Sequence, residues 1–570
     1  MYRRTTRQVA LLGGDRYLGP ESRRRLEQSW ALTFHQEVYP VLLRCEDQFK
    51  DLYREEIGRP NWSVARLLGL CVLQEWFGLT DQEALDALSF DTRWQVALGL
   101  TPEDAYLSRR SLVAFRQRLV SLDPEMKRVR AVFLALGQEG IARLKLQVRQ
   151  QRLDSTRVVS NIRTRGRVDL FNKTLMVLMR WLTREHAAAV QRLPEGLVRW
   201  YNARSSDEGW EQDEKKEKAA VRARRLLQLA TWSHQALQAL ASDSKIREGE
   251  PYQLLQRLFG EHCAVEAAPE AAAKGSGEGG GPGDAPPAER IVVRSKPEKP
   301  GSSLQSPHDP DAGYSGHKGS GYHIQVTETC GNKGPAAEPY QAEIITDYEV
   351  HSAGVSDQSR AIAVVERLEA AGMTPEVLVV DGGYVHGAVI LEAQDHGVDL
   401  LGPASSGPLP ADSIGRDQFV FSADGTQVLA CPQGHAPVKH QLRTTNEERQ
   451  KTPHARFSER HCSDCPLKGR CVARQAASQK GDYYLDISSD LAARDAALTR
   501  KQTPEFRQAY RIRSGIEATN SELKRQHGLG HLRVRRRVRV ELAVAFKLMA
   551  CNAKRWTRAS QTRARAQKRA

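Results

Sequence analysis

No run of apolar residues in this 570-residue chain approaches the roughly 20 that a membrane-spanning helix needs, which excludes a helical span. The N-terminal stretch MYRRTTRQVALLGGDRYLG also lacks the long apolar segment of a signal peptide, so a cytoplasmic location is expected. Cysteine is scarce. Nine in so long a chain exclude a disulfide framework, and four of them cluster, which in a reducing compartment points to metal before disulfide. Acid is nearly missing from the C-terminal end, where residues 524–570 hold fifteen Lys or Arg against the single acid Glu541. The whole chain carries +15, so the rest is nearly neutral and the basicity is a local patch. Local basicity argues for a polyanionic partner, and Arg535, Arg536 and Arg537 are its densest run. The last residues, 557–570, read as a solvated basic tail.

A chain of this length needs more than one core. Residues 1–125 read as a helical N-terminal domain: SVARLLGLCVLQEWFGL carries apolar residues at three-four spacing, GRP at Gly58–Pro60 opens the unit, and LTDQEALDAL follows with Thr80 as N-cap. In LSRRSLVAFRQRLV, Ser108 and Ser111 precede a basic amphipathic helix offering Arg109, Arg110, Arg116 and Arg118 to phosphates. Helix, tight turn and basic second helix suit DNA docking, and a plain bundle with a solvated basic face fits equally.

Residues 145–165 hold LKLQVRQQRLDSTRVVSNI, which alternates like a half-buried strand and places Asp154 at or near its end. Residues 166–263 turn helical and charged, as an insertion. The stretch 264–289, rich in Gly, Ala and Pro without apolar periodicity, reads as a flexible linker. Over 290–404 the pattern resumes with the strand-like runs SGYHIQVTET and PYQAEIITDYEVH as a hairpin, the helix SRAIAVVERLEAAG, the buried strand VLVVDGGY and the short strand VDLLGPA. Together with residues 500–556, these describe an α/β unit with a mixed sheet. Asp381 falls at the carboxyl end of a strand, where ligands commonly bind.

Residues 405–485 form a second insertion. Cys462, Cys465 and Cys471, with Cys431 upstream, supply four thiolates for one tetrahedral, structural zinc. His435 and His461 are alternative ligands, and an iron–sulfur cluster or inert buried thiols are the other readings.

The run YRIRSGIEATNSELK places Tyr510, Arg513, Glu517 and Lys524 within roughly 60° of arc on a helix. Ile516 and Leu523 point away from that stripe, and Glu522 lies well round the helix, so Glu517 is the carboxylate that would face a polar site. Taken alone, the stripe reads as an exposed Arg513–Glu517 pair.

Three stretches in order change that reading: LDSTRVVSNI around Asp154, VVDGGY around Asp381, and Tyr-x2-Arg-x3-Glu-x6-Lys from Tyr510 to Lys524. Together they resemble the DDE transposases of bacterial insertion sequences, in the branch with a YREK signature and a helical N-terminal domain. The resemblance implies an RNase H-like core with a helical N-terminal domain; the helical insertion and the cysteine-rich insertion depart from the simplest members of that fold by enlarging both gaps between the acids. It implies that Asp154, Asp381 and Glu517 hold two Mg2+ or Mn2+ ions, since phosphodiester chemistry needs an activated nucleophile on one side and a stabilised leaving oxyanion on the other. Tyr510, Arg513 and Lys524 are then expected at the phosphates of the transposon end. Asp309 and Asp311 are neighbours that could approach the site.

The implied activity is a DNA transposase that cleaves at insertion-sequence ends and catalyses strand transfer. Its partners are double-stranded DNA, as terminal inverted repeats and target, with a homodimer assembled on DNA, near the bacterial nucleoid and without a membrane. The alternative is a catalytically inactive, sequence-specific DNA-binding protein derived from such an enzyme, and a nuclease without strand transfer shares the same chemistry.

Overall fold

Strand β1 (Gln150–Val158) is the axis of the main sheet. The computed structural model describes residues 2, 18–53, 61–162, 166–205, 219–267, 289–331, 342–356, 360–405, 413–423, 425–444, 451–475 and 481–569. The GRP run at Gly58–Pro60 and most of the 264–289 stretch lie outside them. The two ends of that stretch are not linker: β2 (Cys263–Ala267) pairs antiparallel with β3 (Glu289–Val293), because alternating apolar residues at both ends can share one ladder.

On one side β1 pairs antiparallel with β5 (Gly319–Thr329), with Asp154 opposite Val326, and the short β4 (Gly313–Ser315) joins the start of β5. Strand β6 (Ile345–Ser352) pairs antiparallel with β5, so the expected hairpin strands are neighbours. On its other side β1 runs parallel to β7 (Val377–Val379), which runs parallel to β8 (Asp399–Leu401). The result is a mixed six-stranded sheet compatible with an RNase H-like core. Asp154 sits mid-strand rather than at the end, because the ladder with β5 continues to Val158.

The N-terminal helices do not form a separate core. The Val64–Phe77 helix is buried along most of its length, and a buried carboxylate organises its start: Glu46 accepts from the Ser63 hydroxyl and the Val64 amide, both at 3.0 Å. Gly78 ends the helix at φ +67°, a left-handed conformation that suits glycine. Thr80 caps the Asp81–Phe90 helix in a capping box with Glu83. The apolar faces of these helices merge with β5, β6 and the long C-terminal helix Arg537–Arg569 into one hydrophobic cluster, with Trp556 among its largest fully buried side chains. The basic tail expected at 557–570 is therefore helix as far as Arg569. Thr557 and Ala559 are buried and the Ser560 hydroxyl donates to Glu37 at 2.8 Å, so the start of this stretch is packed, while residues 564–569 are mostly exposed.

Further clusters lie outside this core: one packs the helices Ala361–Ala370 and Gly387–Asp395 against β1, β7 and β8, and two belong to the insertions. Helices Arg167–Glu185, Ala219–Leu240 and Glu250–His262 bury their apolar faces against one another. Around the cysteines, β9 (Val420–Phe421) pairs with β10 (Val428–Ala430). A four-stranded sheet follows, made of β11 (Lys439–Thr444), β12 (Lys451–Phe457), β13 (Arg474–Gln475) and β14 (Tyr483–Asp486).

The sheet and the C-terminal helices are tied by one carboxylate. Glu328 on β5 is fully buried and accepts from Arg152 of β1 at 2.7 Å, from the Thr519 hydroxyl at 2.8 Å and from Arg555 at 2.9 Å. Arg152 also donates to the Ile512 carbonyl at 2.9 Å. Glycine at 515 lets the helix backbone approach, since a side chain there would run into the Arg152 guanidinium. A Glu328→Gln substitution leaves two buried guanidinium groups facing a neutral amide, and a loss of about 3–5 kcal/mol is expected. Urea denaturation of both proteins checks this; equal midpoints would remove the carboxylate from its organising role.

Candidate active site

The expected single helix over Tyr510–Lys524 is broken. A helix Pro504–Tyr510 passes through a 3-10 turn at Arg511–Arg513 into the helix Ser514–Arg525. Arg513, at this junction, is turned inward, with only 16% of its side chain exposed. Ile516 and Leu523 are buried beneath the second helix, and Glu517 lies on its open face.

Arg513 brings the three acids together. Its Nη2 lies 3.2 Å from Asp154 Oδ1 and 3.8 Å from Asp381 Oδ2, and its Nη1 lies 3.3 Å from Glu517 Oε1. Each acid comes from a different element. Asp154 projects from the middle of β1, Asp381 follows the end of β7 and caps a 3-10 turn through the Gly382 amide, and Glu517 stands in the first turn of its helix. Asp154 is recessed at 16% side-chain exposure, whereas Asp381 and Glu517 are open at 59% and 68%. The cluster is therefore a shallow acidic mouth with one deep carboxylate. Burial pushes the Asp154 carboxyl up from its ordinary range, and the Arg513 charge pulls the other way.

Three carboxylates around one cation are oxygen donors of the hard kind that Mg2+ and Mn2+ prefer, although their oxygens do not all lie within 4.8 Å of one another while Arg513 stands between them. Tyr510 stacks on Phe506 with ring centroids 5.4 Å apart, and burial raises its phenol. Burial lowers the Lys524 ammonium, and the nearby Asp154 charge opposes that effect.

Asn520 was not anticipated. Its amide donates to Asp154 Oδ2 at 2.9 Å, leaving Oδ1 toward Arg513. Its position three residues after Glu517 on the same helix was a usable signal. Lys318 was also missed: its ammonium donates to the Ser155 hydroxyl at 2.7 Å and its charge reaches Asp154.

Other expected residues serve the protein itself. Asp309 is buried and accepts from the Tyr322 hydroxyl and the Arg536 amide, while Asp311 accepts from the Arg537 amide, so both anchor the start of the C-terminal helix. Arg116 is paired with Asp81 at 2.7 Å, Arg535 donates to the Asn161 carbonyl, and Arg536 pairs with Glu250. Arg118 lies over the Tyr53 ring, whereas Arg109, Arg110 and Arg537 are exposed.

Cys431, Cys462, Cys465 and Cys471 line one small cavity with His435 and His461, whose rings stack at 4.2 Å. Burial and the other three thiols push Cys462 up to about 11. Among the described residues, the ligand atoms lying mutually within 4.8 Å belong instead to Glu522, His527 and Cys551. There Glu522 is held by Arg555 at 2.8 Å and burial pushes the Cys551 thiol up to about 12, so no free anion offers itself to zinc.

Residues 430–557 match the model of a transposase DDE domain, and residues 23–118 match that of a Transposase domain (DUF772). Together these matches support a DDE transposase. The first match contains the cysteine cluster, Tyr510, Arg513, Glu517 and Lys524, while Asp154 and Asp381 lie outside it. A DDE domain implies use of divalent metal. No curated protein and no solved structure matches the chain. Among the described residues, no helix is long and apolar enough to cross a membrane.

The Asn520 contact carries its own test. Asn520→Ala is expected to weaken Mn2+ binding by roughly tenfold, because a carboxylate loses the partner that orients it. Electron paramagnetic resonance titration of free Mn2+ measures this, and an unchanged affinity would show that Asp154 is held without Asn520.

Proposed function

We propose that the protein is a transposase that cleaves phosphodiester bonds at the ends of an insertion sequence and joins the freed ends to a target. The observation that carries this reading is the meeting of Asp154, Asp381 and Glu517 around Arg513. Those three carboxylates would hold two Mg2+ or Mn2+ ions. Such ions supply an activated water or 3′-hydroxyl and a stabilised leaving oxyanion.

The chain's own residues set the geometry. Asn520 fixes the rotation of the Asp154 carboxylate, and the depth of Asp154 shields it from water. Asp381 and Glu517 stand open, so a DNA strand can lie across them without displacing protein. Arg513, which balances the three acids here, is the group within reach of a phosphate laid over that mouth, and its planar fork suits two phosphate oxygens. Lys524 adds a point charge and Tyr510 a hydroxyl on the same side. Cutting both ends of an element in step favours a homodimer assembled on DNA.

The alternative is a DNA-binding descendant that no longer cuts; the complete acidic set favours the enzyme. Incubation of the protein with Mg2+ and DNA carrying the inverted repeats that flank its gene should yield strand cleavage. Asp381→Asn and Glu517→Gln should each lower it by at least a hundredfold, as expected when one of a few electrostatic groups at the reacting phosphate is lost, about 2.7 kcal/mol or more. Cleavage that persists in both variants would sink the site, and binding without cleavage by the unaltered protein would favour the alternative.

The cysteine cluster is proposed to hold a structural zinc through Cys431, Cys462, Cys465 and Cys471. Elemental analysis of the reduced protein is expected to find one zinc per chain, lost in Cys462→Ser; zinc-free protein would return these residues to ordinary buried thiols.

A further inference from the structure

A basic concavity among the described residues is distinct from the acidic mouth. A cleft of about 970 Å³ opens between the N-terminal helices and the segment that follows the Ser514–Arg525 helix. Six cations line it: Arg109, Arg116, Arg525, Arg533, Arg539 and Lys547. Its acids are Glu75 and Asp81, and both are already occupied, Glu75 by Lys547 at 2.5 Å and Asp81 by Arg116 at 2.7 Å. Four exposed arginines, Arg109, Arg525, Arg533 and Arg539, remain in excess, and none of them forms an ion pair with a described residue. Arg525 is steadied by the Ser521 hydroxyl. Four like charges gathered on one concave surface repel one another, so their arrangement is stabilised by an anionic occupant.

The cleft is continuous with the catalytic sheet. The Val159 amide donates to the Gly530 carbonyl at 3.1 Å, the Leu532 amide to the Val159 carbonyl at 2.8 Å, and the Asn161 amide to the Val534 carbonyl at 3.0 Å. Residues 530–534 therefore run alongside the chain that leaves β1, and Arg533 is carried on that added edge. The opposite wall is the Arg109–Leu122 helix, started by the Ser108 cap, with Arg109 in its first turn. Both walls are packed into the same hydrophobic cluster, so the backbone positions that carry the arginines are fixed by packing.

We propose that this cleft seats the phosphate backbone of duplex DNA that runs on from the acidic mouth, with Arg109, Arg525, Arg533 and Arg539 as its contacts. The proposal rests on the transposase reading and moves the main DNA grip away from the Arg535–Arg537 run. Contacts to phosphate carry no sequence information, so the probe is a fluorescent duplex of arbitrary sequence.

Binding of the full chain is followed by anisotropy across a series of salt concentrations. In R109Q/R533Q/R539Q, the slope of log affinity against log salt should become shallower by about one unit for each arginine removed. R109K/R533K/R539K keeps the charges and should keep most of the slope, which separates lost contact from lost folding. An unchanged slope in the glutamine variant overturns the cleft, as does a variant that loses affinity for polyglutamate but not for DNA. The outcome is separable from the cutting assay: an unaltered protein that binds duplex with this slope yet never cuts inverted-repeat DNA refutes the enzyme and keeps the cleft. An unaltered protein that binds no duplex refutes both.

Discussion

The buried carboxylate of Glu328 is the point on which the catalytic geometry turns. It receives Arg152 from the strand that carries Asp154, Thr519 from the helix that carries Glu517, and Arg555 from the C-terminal helix. Two guanidinium groups deep in the protein are tolerable only because they share this anion and further acceptors: the Ile512 carbonyl for Arg152, and Glu522 with the Glu343 carbonyl for Arg555. Charge-assisted bonds are directional, so the network sets the register between strand and helix more sharply than apolar packing alone. Asp154 and Glu517 are brought near each other because Arg152 and Thr519, each two residues from one of them, are bound to one carboxylate.

A second constraint follows from gathering acids. Three carboxylates around a partly buried point repel one another, and the protein answers with one guanidinium that lies within 4 Å of all three. Asp154, the deepest, meets burial as the largest influence on its carboxyl, as is common where a site sacrifices stability for chemistry. Arg513 thus has a structural task in addition to the phosphate contact proposed for it. Arg513 stands at the junction before Ser514, one turn ahead of Glu517, and this helical spacing sets it beside that acid.

Local signals were legible where they act over a few residues. Thr80 with Glu83, Ser108 before its helix, the hairpin strands and the short strand ahead of Asp381 all follow from capping and alternation. The order and spacing of Asp154, Asp381 and the Tyr510–Lys524 run were visible as well. Less legible was the middle of β1. Alternation marked a strand there, but its length depends on β5, whose partner residues lie about 170 positions downstream. The helix Lys127–Arg143, which packs Phe133 edge-on against Tyr348 under the sheet, drew no attention because its role depends wholly on that distant face.

By itself, the sequence determined which chemical groups are available and which of them recur at helical or strand spacing. Propensity, capping and periodicity are short-range, so they survive without the rest of the chain. Only the tertiary structure decided where each charge is used. Arg116 is held by Asp81, Arg536 by Glu250 and Arg555 by Glu328, whereas Arg109, Arg533 and Arg539 remain open in one cleft. A linear count of fifteen basic residues cannot separate these groups, because an ion pair depends on distance in space and its partners lie tens to hundreds of residues away. The same reason hid Asn520 and Glu328, two uncelebrated polar residues that hold the acids in place.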